Sequence, residues 1–270
     1  MGGQWWDSAT FDEGGLPMSA QIDRTTQASP STQAGSPART VSPFSNPAGA
    51  AQWVKGFLTA SLALAALGAV SGLFQMELIS RAGTTGITVA EAAANDARQQ
   101  LVGVVQLGLW VATGVAFFVW FHRVHRNLPA LGGRGLKYTP GWAVGWFFVP
   151  FLNFVRPPQV MSEVWHGSNP EGLERDESAE GPSLRNRLGT PPLVGWWWAL
   201  FLGSNLIGNF AARVLLEPSP TLGQLQLMSG LMVLSDVLNI PGALVAIGLI
   251  TRITGWQAER NGRVRERAPS

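Results

Sequence analysis

The residue with the most chemistry to offer is an acid in an apolar setting. Asp236 stands near the middle of the apolar stretch 225–250, with Asn239 three positions on and so on the same helix face. An Asp at the centre of a bilayer costs roughly 2.5–3.5 kcal/mol on insertion scales, so this side chain is expected to face protein or water rather than lipid. On the preceding apolar stretch Asn205, Asn209 and Arg213 recur every four residues and form one polar stripe. Antiparallel pairing of the two stretches puts Asn205 at the depth of Asp236 and Arg213 about 12 Å nearer the outer surface, at 1.5 Å per residue. Asn205 and Asn209 are therefore the expected neighbours of Asp236. Such a cluster suits a cation site or a proton relay. It equally suits interhelical hydrogen bonding, worth ~0.6 kcal/mol per pair.

A second polar group falls between the apolar stretches: Arg123, Arg126, Asn153, Arg156, Glu163 and His166. It reads as a cytoplasmic interface for protein partners or for anionic lipid head groups, which attract each near-surface Lys or Arg by about 1 kcal/mol. His122 with His125, and Glu163 with His166, share an i, i+3 spacing that suits half of a carboxylate-bridged di-metal site. The additional carboxylates such a site needs are missing at bundle depth, and Arg123 and Arg126 repel a cation. The histidines are thus expected to lie among lipid head groups, with no metal and no cofactor. No nucleophile elbow, phosphate loop, dinucleotide fingerprint or His-Glu-x-x-His run occurs, so no catalytic residue is assigned.

The elements that must position these residues are long and apolar. Only 13% of the 270 residues are charged, against about 25% in a typical soluble domain, and 46% are hydrophobic. Four runs reach the ~20 apolar residues that cross a ~30 Å hydrocarbon layer: 53–76, 101–121, 193–216 and 225–250. The expected fold is an all-α membrane protein of four transmembrane helices plus a re-entrant or interfacial helical element over 140–166. That element is too short for a full crossing and is interrupted by Pro150 and Asn153. Lys and Arg crowd 122–139 and the C-terminal residues, whereas 217–224 has none, which places both termini in the cytoplasm if 140–155 does not cross. With a net charge of only +2 and bases that flank apolar runs, nucleic acid is not an expected partner; the lipid bilayer is.

Residues 1–50, rich in Ser, Pro and Gly, read as a disordered tail, 51–258 as the transmembrane domain and 259–270 as a basic tail. The first apolar run begins too late for a cleaved signal peptide and is expected to act as an anchor. Thr88 and Glu91 have capping-box spacing and should start an amphipathic helix over 89–100. The loop 167–192 is polar and acidic. Trp142, Trp146 and Trp196 to Trp198 are expected in the interfacial aromatic belt.

The text from Arg126-Asn127-Leu128-Pro129-Ala130-Leu131-Gly132 through Tyr138-Thr139-Pro140-Gly141-Trp142 to Asn153-Phe154-Val155-Arg156-Pro157-Pro158-Gln159 is distinctive. With the Trp196-Trp197 pair and the Asp236 region, it resembles the bacterial membrane family catalogued as domain of unknown function 4328, over residues 53–258. The resemblance implies a multi-pass protein of the bacterial inner membrane and brings no activity. The leading functional expectation is a non-enzymatic scaffold or sensor, alone or as a homo-oligomer. A small transporter or channel component built on Asp236 is the alternative. A lipid-acting enzyme using Glu163 and His166 at the interface comes third.

Overall fold

Ala-, Leu- and Gly-rich runs with few charges favour long helices, and long helices are what the chain forms. The computed structural model describes residues 43–171, 189–213 and 218–267, and every regular element among them is helical. Helix α1 (Ala48–Thr84) and α2 (Val89–Arg126) make an antiparallel hairpin of 37 and 38 residues. Short helices α3 (Pro140–Gly145) and α4 (Arg156–Ser168) follow, with a 3-10 turn at Leu152–Phe154 between them. A second antiparallel hairpin, α5 (Pro192–Arg213) and α6 (Leu222–Arg267), completes the bundle.

Local chemistry sets each start. Thr88 Oγ1 accepts from the Glu91 amide while the Glu91 carboxylate accepts from the Thr88 amide, so α2 begins where the capping box predicts. The amphipathic piece 89–100 runs on without a break into the apolar stretch as one helix. Thr221 and Gln224 repeat the same reciprocal arrangement at the start of α6. Thr139 caps α3, whose first residue is Pro140.

Three helices, not the expected four, are long and apolar enough to cross a membrane among the described residues: α1, α2 and α6. Helix α5 has the length, at 22 residues, but Trp196 to Trp198, Asn205 and Asn209 lower its mean hydropathy. In α2 none of the most apolar window is buried inside the protein, and Val104, Leu107, Trp110 and Val115 all lie open. A bare apolar helix face of that extent has no place in water. The chain is thus a membrane protein by its helices.

Helix–helix approach depends on small residues, as it must where lipid supplies no hydrophobic drive. Ala65, Gly68, Ser71 and Gly72 form the buried face of α1. A Cβ on Gly72 would stand 2.5 Å from Val233 of α6, so that backbone contact demands glycine. Helices α5 and α6 meet through Ser235, whose hydroxyl donates to the Ser204 carbonyl at 2.9 Å.

The 138–156 segment is a folded excursion rather than one helix. Phe147 and Phe148 reach Phe117 and Phe118 of α2, about 12 Å up that helix from His125 at 1.5 Å per residue. The chain turns there, with Phe151 at φ 61°, and comes back. Its two ends touch: Arg156 donates to the Tyr138 hydroxyl at 3.3 Å, and both side chains meet Gln159 Oε1. The last part of the expected 140–166 element is helical, as α4.

Candidate functional site

Two polar centres emerge, one within the bundle and one capping the end where α2 and α6 finish. In the first, Asp236 Oδ1 accepts from Gln106 Nε2 at 3.1 Å, joining α6 to α2. Gly68 of α1 lies against both groups: a Cβ there would come within 2.5 Å of Asp236 Oδ2 and of Gln106 Nε2. The absent side chain at residue 68 is what leaves room for the carboxylate–amide pair.

Asn205 and Asn209 are not the direct partners expected of Asp236. Each amide instead donates to its own helix, Asn205 to the Phe201 carbonyl at 2.7 Å and Asn209 to the Asn205 carbonyl at 2.8 Å. Back-bonding one turn down satisfies an amide locally in an apolar setting, so neither needs to reach across. Asn205 and Asn239 do line the same cavity as Asp236, while Asn209 and Arg213 are exposed and do not.

That cavity, about 770 Å³, is a groove lined by α1, α2, α5 and α6. Its walls are mostly apolar, from Leu64 and Leu107 to Phe117 and Trp197. At the hairpin end stand Asp96 and Gln99, the latter donating to the Ser71 carbonyl at 3.1 Å beside Arg98, which holds Ser71 Oγ and Asn95. Among the titratable side chains of the lining are two acids, Asp96 and Asp236, and no Lys, Arg or His.

The second centre takes His125, though not the exposed His122, away from the expected place among lipid head groups. His125 is fully buried, and its Nε2 lies 3.0 Å from Glu163 Oε1. Glu163 also accepts from the backbone amides of Lys137 at 2.6 Å and Tyr138 at 3.4 Å. Around this pair Asn127 bridges Ser45 and Gln257, Gln257 donates to the Val124 carbonyl and to Ser168, and Trp120 donates to Thr254. Arg260, expected in a basic tail, is wholly buried instead and donates to the carbonyls of Leu131 and Asn169 at 2.8 and 2.9 Å. These bonds tie residues 43–47, the end of α2, α4 and the last turns of α6 into one cap.

The six interface residues do not converge. Glu163 points inward, Arg156 stacks over Trp146 at 5.5 Å, His166 meets the Gly189 carbonyl, and Asn153 Oδ1 is buried without a hydrogen-bond partner. Arg123 and Arg126 remain on the outer side of α2. Trp197 and Trp198 are core residues, stacked on Phe201 and in ring contact with Phe117 and Phe147, whereas Trp142 and Trp196 are more than half exposed, as a belt position requires. The acidic part of the 167–192 loop and most of the N-terminal tail lie outside the described residues.

Gln106, Gly68, Asn127, Gln257 and Arg260 carry these centres and were not singled out from the sequence. Signals for some of them existed. Gln106 is the one amide in the 101–121 run, Gly68 and Gly72 form a Gly-x-x-x-Gly pair, and Ile253, Gln257 and Arg260 share a helix face.

A family model described as Domain of unknown function (DUF4328) matches residues 83–255, which hold Gln106, His125, Glu163 and Asp236 but not Gly68, Gln257 or Arg260. No curated protein and no solved structure matches the chain.

Proposed function

The chain belongs to that family, and we propose that it is a non-enzymatic membrane sensor whose groove takes a lipophilic cation or amine at Asp236. One observation carries this: an apolar groove of about 770 Å³ whose titratable lining is two acids and no base. Low-dielectric walls around one sign of charge favour a ligand of the opposite sign, and a pocket of this size suits a small amphipathic molecule. Helix α6 carries both Asp236 and the Gln257 and Arg260 side chains of the cap, with Pro241 between them, so ligand and cap act on one continuous helix.

In the proposed topology α5 serves as a fourth crossing, since it runs antiparallel along α6 from Leu200 at Gly242 to Gly208 at Ser235. The 138–156 excursion is then re-entrant, and both termini lie in the cytoplasm of a bacterial inner membrane, with the cap on that side. The basic residues of 122–139 and of the α6 end support this orientation.

A transporter is the second reading, because Phe147 of the broken excursion lines the inner end of the groove and helix breaks at membrane depth often border a pathway. It would require an opening where Phe117, Phe147 and Trp197 stack and the cap closes behind them. An interfacial enzyme gains least, since the Glu163 oxygens already bond His125 and two backbone amides.

The test uses the full-length protein in nanodiscs, titrated with tetraphenylphosphonium and read by tryptophan fluorescence, with Trp110 and Trp197 in the groove wall. Saturable binding is expected, weakened about tenfold or more by Asp236→Asn while the melting temperature is kept. Equal affinity in the variant, or no saturable binding, refutes the reading.

A further inference from the structure

A second cavity lies at the cap end of α2, about 450 Å³, and its composition is the reverse of the groove's. His122, Arg123 and Arg126 line it with no acid, against a wall of Phe118, Val119 and Val144. Arg123 donates to the Asn46 carbonyl at 3.3 Å, a neutral partner that leaves its charge uncompensated. Arg126 is exposed and has no carboxylate within bonding distance among the described residues. The nearest cap carboxylate, Glu163, is turned inward and occupied by His125.

Depth adds a second constraint. The apolar run 101–121 ends at Phe121, so the three bases occupy the first turn beyond the hydrocarbon, at the level of lipid phosphates. The apolar wall continues upward from them along α2, where Val119 and Val115 are half exposed or more. Phe148 from the excursion, 70% exposed, stands beside Phe118 at 5.3 Å between ring centres and extends that surface. A cationic mouth that opens onto an apolar face is the shape of a phosphate group with acyl chains attached. A free anion would leave the wall unused, and a neutral lipid would leave the charge unused.

We infer that this pocket seats an anionic phospholipid, its phosphate between Arg123 and Arg126 with His122 as a further donor, and its chains along Phe118, Val119 and Val144. The site shares only Phe118 with the groove, and none of its bases lines the groove. Guanidinium forks match phosphate oxygens in geometry as well as charge. Residues 43–47 form one rim of the pocket at Ser45 and are held by Asn127, so a bound lipid adjoins the first described residues of the chain.

Native mass spectrometry of the full-length protein tests this, with release from mixed micelles of phosphatidylglycerol and phosphatidylcholine of identical chains. The wild type should retain phosphatidylglycerol preferentially, and Arg126→Gln should lower that preference about fivefold, with Arg123→Gln and Arg126→Gln together lowering it about twenty-five-fold. Should the double variant not fold, Arg126→Glu, a change on an exposed side chain, is expected to abolish the preference with the helical circular dichroism unchanged. Asp236→Asn should leave it intact, which separates this site from the groove. Equal retention of the two lipids by the wild type overturns the inference, as does a preference that survives Arg126→Glu. Displacement of phosphatidylglycerol by millimolar inorganic phosphate would assign the pocket to a soluble anion and overturn it as well.

Discussion

Asp236 and Glu163 are both carboxylates held inside the helical bundle, yet their surroundings differ in kind. Glu163 is buried, and its oxygens share a hydrogen bond with one imidazole and accept from two backbone amides. Asp236 has one protein partner, Gln106, and otherwise faces a groove with room for a ligand. A carboxylate with both oxygens bonded is held in place, whereas one with a single partner beside a cavity retains capacity for something that comes and goes. The difference separates scaffold from site: the cap holds its geometry, and the groove is where an outside molecule can be recognised.

Breaking the cap should therefore cost stability first, and breaking the groove should cost binding. The largest effect is expected for Arg260→Ala, which strands the Leu131 and Asn169 carbonyls around a vacated buried position. A loss of about 3 kcal/mol is expected, seen as a marked fall in melting temperature in detergent. Next comes Gly68→Ala, whose new Cβ meets Asp236 and Gln106 at 2.5 Å. The ends of these two side chains must shift to admit it, at a cost of about 1 kcal/mol, and the displaced Asp236–Gln106 pair should weaken ligand binding. Gln106→Leu removes one interhelical hydrogen bond, about 0.6 kcal/mol, so it should leave the melting temperature almost unchanged while altering affinity in the groove.

The smallest effect is electrostatic and lies outside both centres. The Thr88 backbone amide, with the Arg81 guanidinium and the Thr88 hydroxyl, holds the Glu91 carboxyl down to about 2. A depressed carboxyl contributes at pH values above its ordinary range near 4.5 and loses that contribution as pH falls through about 2. Side-chain NMR of Glu91 should show a midpoint near 2 in the wild type and a higher one in Arg81→Gln. An unshifted midpoint would show that the α2 cap does not use this ion pair.

How much of this was legible in the sequence depends on whether the signal was local. Helix existence, the Thr88–Glu91 cap, the irregular 140–155 segment and the exceptional standing of Asp236 follow from hydropathy, capping spacing and cost of insertion, all readable within one stretch. The partner of Asp236 was not, because a mid-helix Asn can satisfy itself one turn back, as Asn205 and Asn209 do. Arg260 looked like a tail residue because charge near a terminus usually is solvated; only the fold of 127–131 against α6 turns it inward. His125 was misplaced for the same reason, its partner lying 38 residues away. The shortfall of α5 as an apolar span came from Asn205, Asn209 and the tryptophans, although Trp197 and Trp198 are buried in the aromatic core, which no hydropathy average records.

The central claim is that the groove recognises a ligand and the cap responds through α6. Hydrogen–deuterium exchange in nanodiscs, with and without saturating tetraphenylphosphonium, tests it most directly. Protection is predicted to rise around Gln106 and Asp236 and to change at 124–131 and 253–260, with both effects absent in Asp236→Asn. Changes confined to the groove, or changes of equal size in Asp236→Asn, would contradict it.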